Sequence, residues 1–479
     1  MQESRHKRTS IDDLPVELLS LIFEWCYEDV KLDQRSQPLL SDPPWHFISG
    51  GLSEDAELMS DKDRFSHLRS RTRFPFTLAD VSKFWEEILS TTPAYWSQII
   101  FHLDSASDVL DKLEHRLLWS ANLPLDIVIL GRVYKPSTSY RLSREAQQLS
   151  VAMKFLVPHI HRCRSILVET RLTSTLSVAF NTVFAEESPD LLSSVCFLAG
   201  FADAGRSTVA RPSRLPLQSM PLLTSLALCG KDFYALHGVW LPLQTNLHHL
   251  VISNCHLRNL NFEYVMRSIH MLENLDCLKL KDILFKVDPS LPALSIPISI
   301  LTLHLDEIAV EMLQELFRLC EFDELDELHI ARSFIPYDTI PSVERMVLED
   351  IPVVYNFRLE LILAAWDGLF LWLGDYKGST DSVLDALRTC DTFSGLGYNC
   401  HWLEKLFLYR LPSVSLKKLK KLIKRRNQDI DYADPNWRDI VYDAPVIHTL
   451  SVVRCDIVPL TQEDIGWFQD RVKNFTYVA

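Results

Sequence analysis

The stretch Leu247–Cys255, LHHLVISNC, decides how the fold is read. Its apolar residues Leu247, Leu250 and Ile252 have the spacing L-x-x-L-x-L, and Cys255 follows three positions later. Leu250 and Ile252 alternate as the inward side chains of a short strand do. The triplet returns at Leu223/Leu226/Leu228, Leu275/Leu278/Leu280, Ile298/Leu301/Leu303 and Leu325/Leu328/Ile330. It returns again at Val343/Met346/Leu348, Leu403/Leu406/Leu408 and Ile447/Leu450/Val452. Successive starts lie 24, 28, 23, 27 and 18 residues apart, then 60 and 44. The gap of 60 leaves room for one more unit, expected at Phe357–Leu363, FRLELIL. One strand and its return segment cannot bury an apolar side alone. Stacked units can, with their strands side by side in a parallel sheet.

Upstream, short apolar runs at Gln98–Leu103, Leu125–Leu130, Ser165–Glu169 and Ser194–Leu198 alternate with helix-like stretches at Ser107–Ser120 and Ser143–His159. Alternating strands and helices predict an α/β chain with parallel strands. The 223–479 region resembles the leucine-rich repeat family, whose units run to roughly 20–29 residues. The Asn/Cys position is met only by Cys255 and Cys455, so the repeats are irregular. The resemblance implies a curved parallel sheet inside and helices outside. Strand residues between the leucines would then line the concave face: His249, Lys279, Lys281, His304, Glu327, His329, Arg345, Lys405, Phe407 and Tyr409. Such a row reads either as a protein-binding face or as an ordinary solvated one. The ending IGWFQDRVKNFTYVA puts Ile465, Trp467, Phe468 and Val472 on a short helix, then Phe475 and Tyr477, and is expected to cap the array.

The N-terminal 100 residues differ in pattern. After a charged leader at 1–10, the stretch Ile11–Glu28 places Leu14, Leu18, Leu21, Ile22 and Trp25 on one helical stripe. Pro15 suits the first helical position, and Asp12, Asp13 and Glu17 suit the positive end of the helix dipole. A second helix is expected from Thr77, with Asp80 completing a partial capping box and Thr92-Pro93 ending it. Its stripe is Leu78, Val81, Phe84, Trp85, Ile88 and Leu89. Periodicity alone leaves two readings open, packing of the stripes on each other and docking of a partner.

Three pieces in order, Leu14-Pro15-Val16-Glu17-Leu18-Leu19, Val81-Ser82-Lys83-Phe84-Trp85 and Tyr95-Trp96, resemble the F-box, in a form similar to the F-box families of mushroom-forming fungi. The resemblance spans residues 11–100 and includes an insertion at 31–73, read as a mobile polar loop. It implies that Leu14, Pro15, Leu18, Ile22, Val81, Trp85 and Trp96 serve docking on a Skp-type adaptor of a cullin ubiquitin ligase. The body would then hold a protein target.

Composition narrows the alternatives. The net charge of −14 disfavours a general nucleic-acid binder. No apolar run reaches the roughly 18 residues of a membrane span, and the N-terminus shows no apolar secretory core. A cytoplasmic or nuclear location is expected, with the ten cysteines reduced and buried. Cys400-His401 is the nearest approach to a metal motif, and Asn474-Phe475-Thr476 is a chance sequon. There is no Walker loop, G-x-G-x-x-G, H-E-x-x-H or G-x-S-x-G. No catalytic residue, metal or cofactor is expected. A hydrolase site in Phe357–Asn399 is the least favoured reading, and Asp323, Glu324, Asp326 and Glu327 read as acidic surface. The basic run Lys417, Lys418, Lys420, Lys421, Lys424, Arg425 and Arg426 reads as a solvated helix face, with a nuclear signal or an acidic partner as the alternatives. The leading expectation is a non-catalytic substrate receptor of an SCF-type ligase (Skp, cullin and F-box). The alternative is a repeat scaffold whose N-terminal helices only cap its end.

Overall fold

The computed structural model describes residues 11, 14–35, 74–103, 108–131, 139–185, 189–201, 220–236, 241, 244–287, 295–335, 340–353, 359–388, 390–391, 397–398, 400, 402–427 and 446–479. The chain divides into two compact units, Met1–Leu236 and His237–Ala479. Each is α/β, with parallel strands in sequence order and helices between them.

In the first unit, helices Val16–Arg35, Phe76–Ala79 and Lys83–Ser90 precede five strands. These are β1 (Gln98–His102), β2 (Leu125–Leu130), β3 (Cys163–Leu172), β4 (Ser194–Phe201) and β5 (Ser225–Cys229), each hydrogen-bonded to the next. Helices Asp108–Trp119, Ser139–Leu156 and Thr173–Ala185 make the crossovers. All six residues of β2 are buried, as expected of a central parallel strand. Arg162 is buried as well. Its guanidinium donates to the carbonyls of Leu117 and Leu123 and to the Ser120 hydroxyl, each at 2.9 Å, and so satisfies the last turn of helix Asp108–Trp119.

The second unit starts with β6 (His249–Asn261) and β7 (Cys277–Lys286). A short β8 (Ile296–Pro297) pairs with β10 (Cys320–Glu321), and β14 (Cys390–Asp391) pairs with β15 (Gly397–Tyr398). The main sheet continues through β9 (Thr302–Asp306), β11 (Glu327–Ala331), β12 (Arg345–Glu349), β13 (Phe370–Gly374), β16 (Lys405–Tyr409), β17 (Thr449–Val453) and β18 (Asn474–Val478).

Register makes the repeat sharper than the leucine triplets suggest. Leu303 pairs with Leu278, and Leu305 with Leu280, so the unit read at Ile298/Leu301/Leu303 is in fact Ile300/Leu303/Leu305. Ile300 is buried and Leu301 is exposed. The starts Leu275, Ile300 and Leu325 are then evenly spaced at 25 residues. The unit expected at Phe357–Leu363 is also corrected. Residues 357–358 lie outside the described residues, 359–363 belong to helix Leu359–Ala365, and the strand is Phe370–Gly374, with Leu371 and Leu373 opposite Met346 and Leu348. At the C-terminus, Phe475 pairs with Leu450 and Tyr477 with Val452, so Val472/Phe475/Tyr477 forms one more unit. Helix Gln462–Gln469 lies before it, opened by a reciprocal Thr461–Asp464 capping box.

A second repeat mark has no leucine in it. In the second unit, the residue five positions after the first residue of each main-sheet strand from β6 to β17 takes a left-handed backbone: Asn254, Asp282, Glu307, Arg332, Asp350, Asp375, Arg410 and Arg454, with φ between 45° and 56°. None is glycine. From Glu307 onward each of these N–H groups donates to the last residue of the next strand, as Asp350 does to Gly374 at 2.9 Å. The ladder bond offsets the cost of the strained backbone.

Candidate protein-interaction surfaces

The N-terminal helices place their apolar residues in two environments. Leu19 and Phe23, one turn apart, are buried, and Phe23 meets the Trp85 ring edge-on at 5.1 Å. The predicted stripe lies on other faces of the helix: Leu18 is 48 % exposed and Trp25 65 % exposed, and Val16 and Leu21 are also exposed. Leu14 and Ile22 are half-buried, and Pro15 is exposed. Pro15 stands just ahead of the helix rather than inside it, its carbonyl accepting from the N–H groups of Leu18 and Leu19.

The second expected helix breaks. Phe76–Ala79 is a single turn, and Ser82 opens a separate helix, Lys83–Ser90, by accepting from the Trp85 N–H at 3.3 Å. The Ser-x-x-Trp spacing is therefore an N-cap, which displaces the capping box expected at Thr77 and Asp80. Val81, ahead of that cap, is 55 % exposed, and Phe84 is exposed too.

Trp85 and Trp96, both expected at the docking surface, belong to the core instead. Trp96 is 0 % exposed. Its indole donates to the Leu89 carbonyl at 2.9 Å, and its ring lies 4.6 Å from Trp119 and 5.9 Å from Phe76. Arg116 lies over the Phe76 ring at 4.0 Å, and burial pulls its guanidinium down to about 10 against the opposing pull of Asp80 and Glu86. Bulk decides between the two roles, because a large flat side chain surrounded by rings is worth more inside than at a rim. The insertion read at 31–73 begins inside helix Val16–Arg35, and its residues 36–73 lie outside the described residues. Its two flanks meet: Tyr27, Phe74 and Tyr95 form a ring cluster with centroids 5.0–5.9 Å apart.

In the second unit, the strand residues between the leucines form continuous cross-strand rows. One row runs Val251, Lys279, His304, His329, Val347, Trp372, Phe407 and Ser451. Read from the sequence as either a protein-binding or a solvated face, the rows are largely packed against themselves. His304, Glu327, His329 and Tyr409 are buried; His249, Lys279, Lys281, Arg345 and Phe407 are half-buried; Lys405 is exposed. Adjacent parallel strands bring each side chain close enough to cover its neighbour.

The pairs are specific. His304 and His329 meet Nδ1 to Nδ1 at 3.0 Å, and His329 Nε2 lies 3.4 Å from Glu349. Lys281 pairs with Asp306 at 3.3 Å, and Arg345 pairs with Glu327 at 3.3 Å while lying 5.0 Å over the Phe370 ring. Burial pushes the Glu327 carboxyl up, against the opposing pull of Arg345 and His329. Trp372 stacks on Phe407 at 5.6 Å, Phe370 lies 5.0 Å from Phe407, and Tyr409 lies 5.6 Å from Trp372. The Tyr409 hydroxyl and Glu327 Oε1 are buried without a hydrogen-bond partner among the described residues. The face thus has a charged half around β9–β12 and an aromatic half around β13–β16.

The basic helix Leu416–Arg426 is not one uniform face. Arg426 is buried, with Nε donating to the Leu387 carbonyl at 2.9 Å and Nη1 to the Cys400 carbonyl at 3.0 Å. It closes helix Thr380–Arg388 as Arg162 closes its neighbour in the first unit. Lys418 bridges Asp381 and Asp385, Lys420 pairs with Asp464, and Lys417, Lys421 and Lys424 face solvent.

Among the described residues, no group of three or more His, Cys, Asp or Glu could hold a metal ion. Among the same residues, no helix is long and apolar enough to cross a membrane. No known family model matches the chain, and no curated protein is recognisably similar to it in sequence.

Proposed function

We propose that this chain is a non-catalytic substrate receptor, in which an F-box-like N-terminal module docks a Skp-type adaptor of a cullin ubiquitin ligase and the open face of a leucine-rich-repeat-like sheet holds a protein target. The observation that carries the reading is the apolar surface left outside the N-terminal core. Val16, Leu18, Leu21 and Trp25 on helix Val16–Arg35, Val81 just ahead of helix Lys83–Ser90 and Phe84 in its first turn are exposed, while Leu19, Phe23, Trp85 and Leu89 are buried. A small module that leaves several large apolar groups exposed, Leu18, Leu21 and Trp25 among them on one side of their helix, is a candidate interaction site. The sheet supports the second half of the reading, since aromatic and arginine side chains held rigid by neighbours are the usual anchors of a protein interface. The test is co-purification of a Skp-type adaptor with the full chain and with a Leu18→Asp, Val81→Asp variant; retention of the adaptor by the variant would overturn the docking half.

A second reading is supported by the packing of the module on its own chain. Trp96 against Trp119, Arg116 over Phe76 and Lys112 paired with Asp80 join the N-terminal helices to the first strand–helix unit. In that reading the helices only cap a scaffold. It requires that no adaptor bind the intact protein and that removal of residues 1–97 cause aggregation.

A further inference from the structure

The basic helix borders an open groove with a volume of about 540 Å³, lined by Leu416, Lys417, Lys420, Lys421, Lys424, Val458 and Trp467. Its floor is apolar. Val458 is 71 % exposed, although nothing polar on its side chain gains from water. Trp467 is held in place rather than free to fold over the groove. Lys420 lies over its ring at 5.3 Å, Arg471 lies over it at 4.5 Å, and the Trp467 carbonyl accepts from Arg471 at 3.1 Å.

The lysines sort by partner. Lys420 is paired with Asp464. Lys417, Lys421 and Lys424 have no acidic partner among the described residues, yet they sit at spacings that place them along one helix edge beside the apolar floor. Lysines that serve only solubility need no apolar cleft beside them, and an apolar cleft that is only a packing defect needs no ring of cations. The chain as a whole carries −14, so this positive rim is opposite in sign to the net charge of the chain.

We infer that this groove is a docking site for an acidic segment of a partner protein, with one aromatic or aliphatic side chain seated on Val458 and Trp467 and carboxylates meeting Lys417, Lys421 and Lys424. Charge complementarity selects the occupant, and the preformed apolar floor demands an anchor that a bare polyanion lacks. Three point charges favour carboxylates along an extended chain. Among the described residues that line the groove there is no arginine, which disfavours a bidentate phosphate site. The site is independent of the N-terminal module, so its failure and the failure of adaptor docking are separate results.

The experiment pans a phage-displayed library of random 12-residue peptides on the purified full chain. A Lys417→Glu, Lys421→Glu, Lys424→Glu variant serves for counter-selection. All three side chains are exposed, so the variant keeps the fold, which circular dichroism and the melting curve check. The expected result is enrichment of peptides carrying several carboxylates and one large apolar residue. Synthetic versions should bind the variant at least about tenfold more weakly, lose affinity with added salt and shift Trp467 fluorescence. Absence of enrichment over the variant, or enrichment of non-acidic peptides, would overturn the inference. So would equal binding by an apolar-free acidic peptide, by vesicles with 30 mol % phosphatidylserine or by single-stranded RNA, each of which identifies a purely electrostatic face.

Discussion

The indole of Trp366 fills the space that a side chain on Gly368 would occupy. A Cβ at Gly368 would lie 2.3 Å from the Trp366 ring and 2.4 Å from the Val343 carbonyl oxygen, to which the same indole donates at 2.9 Å. Gly368 stands where the other units carry their first leucine, two residues before the strand. One repeat has thus exchanged a leucine for a tryptophan supplied from the preceding helix end. Gly368→Ala is expected to cost about 1–3 kcal/mol, because the backbone oxygen cannot move aside without breaking the bond to Trp366. Urea unfolding of the variant measures this; an unchanged midpoint would show that the indole has room to shift.

The same exchange explains where the sequence was legible. Seven of the leucine triplets named the strands because Leu, Ile, Val and Met do the burying there. Leu371 and Leu373 lack a leading apolar residue, so the triplet pattern does not mark this strand and points to the preceding helix instead. Ile298/Leu301/Leu303 and Ile300/Leu303/Leu305 both fit the triplet spacing, and only pairing with Leu278 and Leu280 chooses the second. The tryptophans of the N-terminal module misled for the reverse reason. Their periodicity marks an apolar face, but periodicity does not say whether the face is covered by its own chain. Partners from distant segments, Trp119 for Trp96 and Phe23 for Trp85, decide that. The buried roles of Arg162 and Arg426 were equally invisible, since a basic residue in a basic run carries no sign of the carbonyls it will meet.

Glu327 gives a dependence on pH. Its folded carboxyl is held above its ordinary value of 4.5, chiefly by burial. The unfolded chain then ionises first, so the native state loses stability as pH rises from about 4.5 through the folded value, and the loss levels off above it. Glu327→Gln removes the ionisation while keeping shape and one acceptor. The stability of the variant relative to wild type is expected to rise across that interval and then stay constant. Urea midpoints for both proteins between pH 4 and 8 provide the comparison, and parallel curves would refute the assignment.

The cysteines predict a labelling pattern. Burial pushes Cys163, Cys277, Cys320 and Cys400 up to about 12, which leaves almost no thiolate at neutral pH. Cys26 is half-buried on the N-terminal helix. Under native conditions at pH 8, iodoacetamide is expected to modify Cys26 well before those four, and urea is expected to abolish the difference. Mass spectrometry of peptides after timed quenching reads the order. Early modification of Cys400, which donates to the Leu363 carbonyl at 2.9 Å, would mean that this part of the repeat opens readily.

The N-terminal module allows docking and folding to be separated by residue. Leu18 and Val81 are roughly half exposed, whereas Trp96 is fully enclosed. Replacing the first two by aspartate touches little of the core, so the melting temperature is expected to stay within a few degrees of wild type. If an adaptor covers them, burying the exposed half of each is worth roughly 0.7–1.5 kcal/mol, and the double variant is expected to weaken capture by at least about tenfold. Trp96→Ala is expected to do the opposite. It removes the partner of Trp119 and the donor to Leu89 and costs about 3–5 kcal/mol of stability. Any loss of adaptor capture it causes would then follow the loss of folded protein. Calorimetry beside quantitative co-purification distinguishes the two. An aspartate variant that unfolds would place Leu18 and Val81 in the core, and one that stays folded and captures the adaptor at full strength would remove the docking role.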